Sequence, residues 1–176
     1  MSRGLLSFNT WLVMAQQNRT REAILQGAKL EISEVGSYES NMVDIALKAQ
    51  VSRATVYNHF ADKEEMIIAL IESEIQRLIE LAQSQATPRD ALFTLSRDIS
   101  KDPAVAKMRE SDPLDIAKFV IASDHPLWKL AYESAMKIFG PMNGSLVIHW
   151  LISQFGSPLS EGESSVQADK LARALQ

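Results

Sequence analysis

The sequence predicts an all-α protein: an N-terminal three-helix unit of the helix-turn-helix kind, joined by a long helix to a second helical domain. Three observations carry this. Apolar residues recur at spacings of three and four along most of the chain, and no stretch alternates with the period of two that a strand needs. Between Ser40 and Phe60 two very short amphipathic segments flank a tight turn. Further on, Thr87-Pro88, Asp102-Pro103, Asp112-Pro113 and His125-Pro126 each set a polar residue before a proline, the arrangement that opens a helix without losing a needed N–H.

The first long helix is expected to start at Thr20 as N-cap and to run to about Val35, with Gly36 as its stop. Ile24, Ala28 and Ile32 repeat every four residues on its inner side. Met42, Ile45, Ala46 and Ala49 then form one apolar stripe, with Ser40 as the expected N-cap. Ser52 supplies a second N-cap, and the next helix runs to about Phe60 with Val56 and Phe60 four apart on its inner face. At about 100° per residue, Ala54, Thr55, Tyr57 and Asn58 fall on the outer face, with Arg53 beside them near the helix start. That set suits a duplex groove. Arg53 can donate a bidentate pair to guanine, Asn58 can pair with adenine, and the Thr55 methyl can meet a thymine methyl. Ala54 lets the backbone approach closely. An ordinary helical corner with a solvated polar face would have the same pattern.

These residues resemble the DNA-binding domain of the TetR (tetracycline-repressor-like) family of bacterial regulators. The likeness begins at Thr20–Gly36, passes through Asp44–Phe60 and ends at Asp62–Ile71, with the Val51–Glu64 run its most specific part. It covers roughly the first third of the chain. Two positions depart from the family pattern. Gln50 stands where the turn usually carries glycine, a left-handed position that costs a non-glycine residue about 1 kcal/mol. Ser37 stands where an aromatic usually follows Gly36, and Tyr38 comes one residue later. The resemblance implies phosphate contacts from Thr20, Ser40, Asn41, Ser52, Tyr57, His59 and Lys63, with base reading by Arg53, Thr55 and Asn58. It also implies a homodimer, formed through the last long helices, that reads two half-sites about 34–36 Å apart.

Domain boundaries follow. Residues 18–65 form the helix-turn-helix domain and 66–176 a helical ligand-binding and dimerisation domain. Residues 1–17 admit three readings: an extra arm or helix, a start-site overcall with Met14 as the natural start, or a weak signal peptide that Ser7, Asn9 and Thr10 interrupt. Asp62-Lys63-Glu64-Glu65 is a capping-box pattern opening the long connecting helix, expected to reach about Gln85. The body is expected to comprise helices at about 88–100, 103–110, 113–123, 126–139 and 143–155, a loop from Gly156 to Gly162, and a final polar helix from Ser164 to Ala174. The apolar helix at 143–155 and the narrow stripe of the last one suit pairing across a two-fold axis. Phe93, Phe119, Trp128, Tyr132 and Met136 could line a cavity, but aromatics at helical spacing are also what a filled core uses.

Composition narrows the function. The chain has 176 residues, 46% hydrophobic and 23% charged, as a folded globular chain does. It has no cysteine, which excludes disulfides, thiolate catalysis and cysteine-ligated zinc. His59, His125 and His149 are far apart and fit no ligand spacing, and no phosphate loop or nucleophile motif occurs. Net charge is −4. From Arg19 to Glu65, six Lys/Arg face eight Asp/Glu, so DNA binding would rest on local placement of charge. The reading is a bacterial, cytoplasmic transcriptional regulator. It is expected to repress as a homodimer on a palindromic operator and to release it for a small-molecule effector, with no catalytic residue, metal, cofactor or membrane contact. The alternative is a helical interaction protein that keeps the fold without reading DNA.

Overall fold

The structure is a computed structural model describing residues 8–121 and 125–175, with side chains from Met14 onward. Ten helices and no strand occur among the described residues: α1 Phe8–Val35, α2 Met42–Lys48, α3 Arg53–His59, α4 Lys63–Gln83, α5 Pro88–Lys101, α6 Pro103–Ser111, α7 Pro113–Ile121, α8 Pro126–Phe139, α9 Gly144–Gly156 and α10 Glu161–Ala174. The proline-led starts of α5 to α8 fall where the sequence places them. No helix among the described residues is long and apolar enough to cross a membrane.

The expected start at Thr20 is wrong. From Phe8 to Gln26 there is no glycine or proline, and Ala15, Gln16 and Gln17 are good helix formers, so α1 runs straight through. Thr20 therefore lies inside the helix, its hydroxyl donating to the Gln16 carbonyl at 3.0 Å. A boundary between residues 17 and 18 cuts this helix; residues 1–7 lie outside the described part.

A second correction concerns α2. Its N-cap is Asn41, whose Oδ1 accepts from the Val43 and Asp44 amides at 3.0 Å each, satisfying two orphan donors. Ser40 is buried instead, and its hydroxyl donates to the Ser37 carbonyl at 2.8 Å. α1, α2, α3 and the start of α4 close the head around Ile24, Ala28, Ile45, Val56, Phe60 and Met66, all at 0–1% exposure. Gly27 permits the α1–α2 approach: a Cβ there would sit 2.7 Å from the Ala49 amide nitrogen.

The body packs α5, α8, α9 and α10 around a second core that includes Leu92, Trp128, Val147 and Leu151. The loop expected from Gly156 to Gly162 is shorter. Ser160 and Glu163 form a reciprocal capping box that starts α10 at Glu161, leaving Gly162 inside the helix. The expected apolar stripe of α10 is only partly used within the chain: Leu171 and Leu175 pack on the body core and the helix lies along α5, whereas Val166 is 52% exposed. A fully satisfied polar cluster fixes that packing. The Ser96 hydroxyl lies 2.8 Å from both Gln154 Oε1 and the Ser164 hydroxyl, and the Ser100 hydroxyl donates to the same Gln154 oxygen at 3.0 Å.

Head and body meet along α4 and, less expectedly, along α6, which lies against α1. Each end of α6 is tied to the head. Lys29 Nζ is 2.7 Å from both Glu74 on α4 and Asp102, the N-cap of α6. Arg77 adds Asp98 to this chain of charges at 2.6 Å. At the other end the Ser37 amide donates to Asp112 at 2.7 Å. Burial alone would lower the Lys29 pKa, but its bonds to Asp102 and Glu74 outweigh this and raise it.

Candidate nucleic-acid interface

α3 has only seven residues, too few to hold a helix unaided. It persists because Ser52 caps it, accepting from the Thr55 amide at 3.0 Å, and because Val56 and Phe60 are buried in the head. The Arg21 guanidinium lies 4.7 Å from the Phe60 ring centroid and covers that core from outside. The opposite face is presented as the rotation argument predicts. Arg53, Ala54, Tyr57 and Asn58 are exposed. The side chains of Arg53, Tyr57 and Asn58 make no hydrogen bond or ion pair among the described residues.

The remaining expected contacts are differently placed. Thr55 is half-buried, with its hydroxyl 2.8 Å from that of Ser52. His59 is half-buried beside the Phe60 ring, with 6.4 Å between centroids. Asn41 and Ser52 are exposed but already hold helix starts, whereas Thr20 and Ser40 turn their hydroxyls to carbonyls of their own chain. Lys63 differs most from a solvated surface lysine. Its Nζ donates to the Ser37, Tyr38 and Ser40 carbonyls at 3.0, 2.9 and 3.0 Å, which accounts for all three N–H donors of an ammonium. It fastens the loop between α1 and α2 to the start of α4.

Both departures from the family pattern have structural answers. Gln50 has φ 55°, so it does occupy the left-handed turn. Ser37 is buried, donating through its hydroxyl to Asp115 at 3.2 Å and through its amide to Asp112, while Tyr38 is 76% exposed. The aromatic therefore does not slide by one residue to refill the core; body carboxylates take the place instead. The Asp62 capping box also closes differently. Asp62 accepts from the Glu65 amide at 2.8 Å, but Glu65 reaches past Asp62 to the Ala61 amide at 2.7 Å.

In the body a cavity of about 600 Å³ opens between α4, α6, α7, α8 and α9. Ile71, Ile75 and Leu78 of α4, Met108 of α6, and Phe119 and Trp128 supply much of its wall. α7 faces it with Ile116 and Phe119 while burying no residue of its own. Of the five side chains that could have lined a cavity, only Phe119 and Trp128 do. Phe93 sits between Arg89 and Arg97, Tyr132 stacks edge-on against His149, and Met136 is partly exposed.

The N-terminal-domain model of bacterial regulatory proteins of the tetR family matches residues 24–70. The HTH-type transcriptional regulator BetI of Rhizobium meliloti is 32% identical over 81 residues, 44% of this chain and 40% of BetI. The HTH-type transcriptional repressor AcnR of Corynebacterium glutamicum is 24% identical over 111 residues, 57% of this chain and 56% of AcnR. The chain thus matches about two-fifths to three-fifths of the length of these curated relatives. Among solved structures, the TetR-family repressor AlkX of Dietzia covers 89% of this chain and 97% of its own, with TM-score 0.60 and 18% identity. The regulator FadR of Bacillus subtilis, solved in complex with stearoyl-CoA, covers 88% and 96% with TM-score 0.52 and 16% identity. These two likenesses concern the fold.

Proposed function

We propose that this chain, which belongs to the TetR family of bacterial regulatory proteins, is a repressor that binds a palindromic operator as a homodimer and releases it when an effector fills the body cavity. The observation that carries the proposal is the outer face of α3. Arg53, Tyr57 and Asn58 stand exposed and unengaged on a helix held rigidly by Val56 and Phe60. Unengaged donors on a fixed helix reach base edges without first breaking internal bonds. Arg53, Thr55 and Asn58 read bases, and Ala54 allows close approach. Tyr57, Asn41, Ser52 and His59 contact phosphate. Thr20, Ser40 and Lys63 take a lesser part, because their polar groups already serve the fold. Residues 18–65 act as the DNA-binding unit and 66–176 as the effector and dimer unit, in the bacterial cytoplasm. The exposed apolar Met136 of α8, Met142 of the following turn and Leu146 of α9 supply the pairing face.

Selection of bound duplexes from a random pool tests this. One recovered palindrome is the expected result. Arg53→Ala should then weaken operator binding by about 1–3 kcal/mol and relax specificity at one base. Equal loss on operator and random DNA would remove Arg53 from base reading. The acidic balance of the head favours a second reading, a helical interaction protein that has kept the fold alone. Recovery of no duplex by folded protein selects that reading, whereas steeply salt-dependent binding to one palindrome excludes it.

A further inference from the structure

Resting on the effector-binding part of that proposal, we infer that the cavity takes an uncharged, largely hydrocarbon molecule and rejects carboxylate and acyl-coenzyme A forms of the same chain. Size places the cavity within the range of small-molecule sites, about 300–1,000 Å³. Its wall is mostly aliphatic and aromatic. The charged groups that border it decide the class of ligand. Among the described residues three cations border the cavity, and each is already paired: Lys29 with Glu74 and Asp102, Arg77 with Glu74 and Asp98, Lys118 with Asp115. Glu64 borders it as well, so among the described residues bordering carboxylates outnumber cations by five to three. A ligand anion would have to break one of these pairs or remain uncompensated against a surplus of carboxylates, and an unpaired charge in an apolar site is heavily penalised.

The neutral polar groups agree. The Trp128 indole N–H is taken by the Phe119 carbonyl at 2.8 Å. No buried side-chain nitrogen or oxygen lacks a partner among the described residues, so none waits inside for a ligand's polar group. His125 and the Ser134 hydroxyl border the cavity; His125 Nδ1 accepts from the Leu127 amide, which leaves the proton on the other ring nitrogen. A hydroxyl or carbonyl on the ligand suits such neutral partners. A carboxylate or pyrophosphate would find no unpaired cation among the described residues beside them to balance its charge.

The test uses the full chain, without DNA, and calorimetric titration with three matched probes: medium- and long-chain alkan-1-ols, the alkanoates of equal length, and their coenzyme A esters. The pH is held well above the carboxylate range. Alkanols should bind at least about tenfold more tightly than alkanoates, and the esters should not bind. Alkanoate or ester binding equal to or tighter than alkanol binding overturns the inference, as does failure of every probe. Ala131→Phe, which fills the cavity from α8, should abolish alkanol binding; unchanged binding would place the probe elsewhere and overturn it too. Ile152→Arg adds an unpaired cation and should shift preference toward the alkanoate. A separate arm measures operator release. Alkanol binding without release keeps this inference and removes effector control, whereas operator release by a preferred alkanoate keeps effector control and removes this inference.

Discussion

The head and the body solve opposite packing problems. In the head, α2 and α3 are seven residues each and exist only because caps and a shared core hold them, so the few side chains they bury are all needed there. In the body the helices that enclose the cavity are longer, and they stand far enough apart to leave about 600 Å³ between them. The body tolerates these missing contacts, whereas a comparable gap in the head would dissolve it. Under the proposed function, fixed geometry belongs to the part that reads a rigid duplex, and spare volume to the part that accepts a guest.

Phe60→Ala should break this contrast most severely. It removes a ring at 1% exposure from the head core and should cost about 3–5 kcal/mol in urea denaturation, with operator binding lost. If the cost were under 1 kcal/mol, the head would not be the tightly committed unit described. Gly144→Ala probes the body where α9 lies close against α8, since a new Cβ would sit 2.5 Å from the Met136 amide nitrogen. Overpacking there should cost about 1–3 kcal/mol in the same assay. A neutral outcome would mean that α8 and α9 yield as readily as the cavity beside them.

The seam between the two parts has its own signature in pH. Burial pushes the Asp112 pKa up, but hydrogen bonds from the Ser111 hydroxyl and the Ser37 and Tyr38 amides prevail and hold it below the ordinary aspartate value. An acid whose pKa is depressed on folding contributes stability above its unfolded pKa and loses it as pH falls through the folded one. Thermal melts should therefore show a loss beginning as pH drops below the ordinary aspartate range, and Asp112→Asn should flatten that part of the profile. An unaltered profile would detach Asp112 from the seam. Gln50→Gly is the mildest change. Relieving a left-handed residue at φ 55° should raise stability by about 1 kcal/mol, visible as a higher midpoint in urea, and a lower midpoint would show the turn is unstrained.

What could be read in advance divides along the same line. The head was legible because its determinants are local: Ser52 caps the helix that follows it, Val56 and Phe60 face inward by helical rotation, and Gln50 adopts the strained turn its position demands. Where local rules were equally satisfied by two answers, the sequence misled. Thr20 can cap a helix or ride inside one, and Asn41 outbids Ser40 only because it reaches two amides at once. Lys63 could not be read at all, since its three carbonyl partners lie more than twenty residues upstream. The cavity was hidden for a related reason. Ile71, Ile75 and Leu78 have the spacing of core residues, and spacing does not say whether anything stands opposite.

The two attachments of α6 have a kinematic consequence. A nine-residue helix is about 13 Å long, and its ends are pinned to the same rigid neighbour, at Asp102 by Lys29 and at Asp112 by Ser37. A body pinned at one point can swivel in any direction; pinned at both ends, it keeps only rotation about the line between them. Val105 and Met108, midway along α6, line the cavity wall. A shift of α6 at the cavity wall would therefore have to carry these two attachments to the head with it.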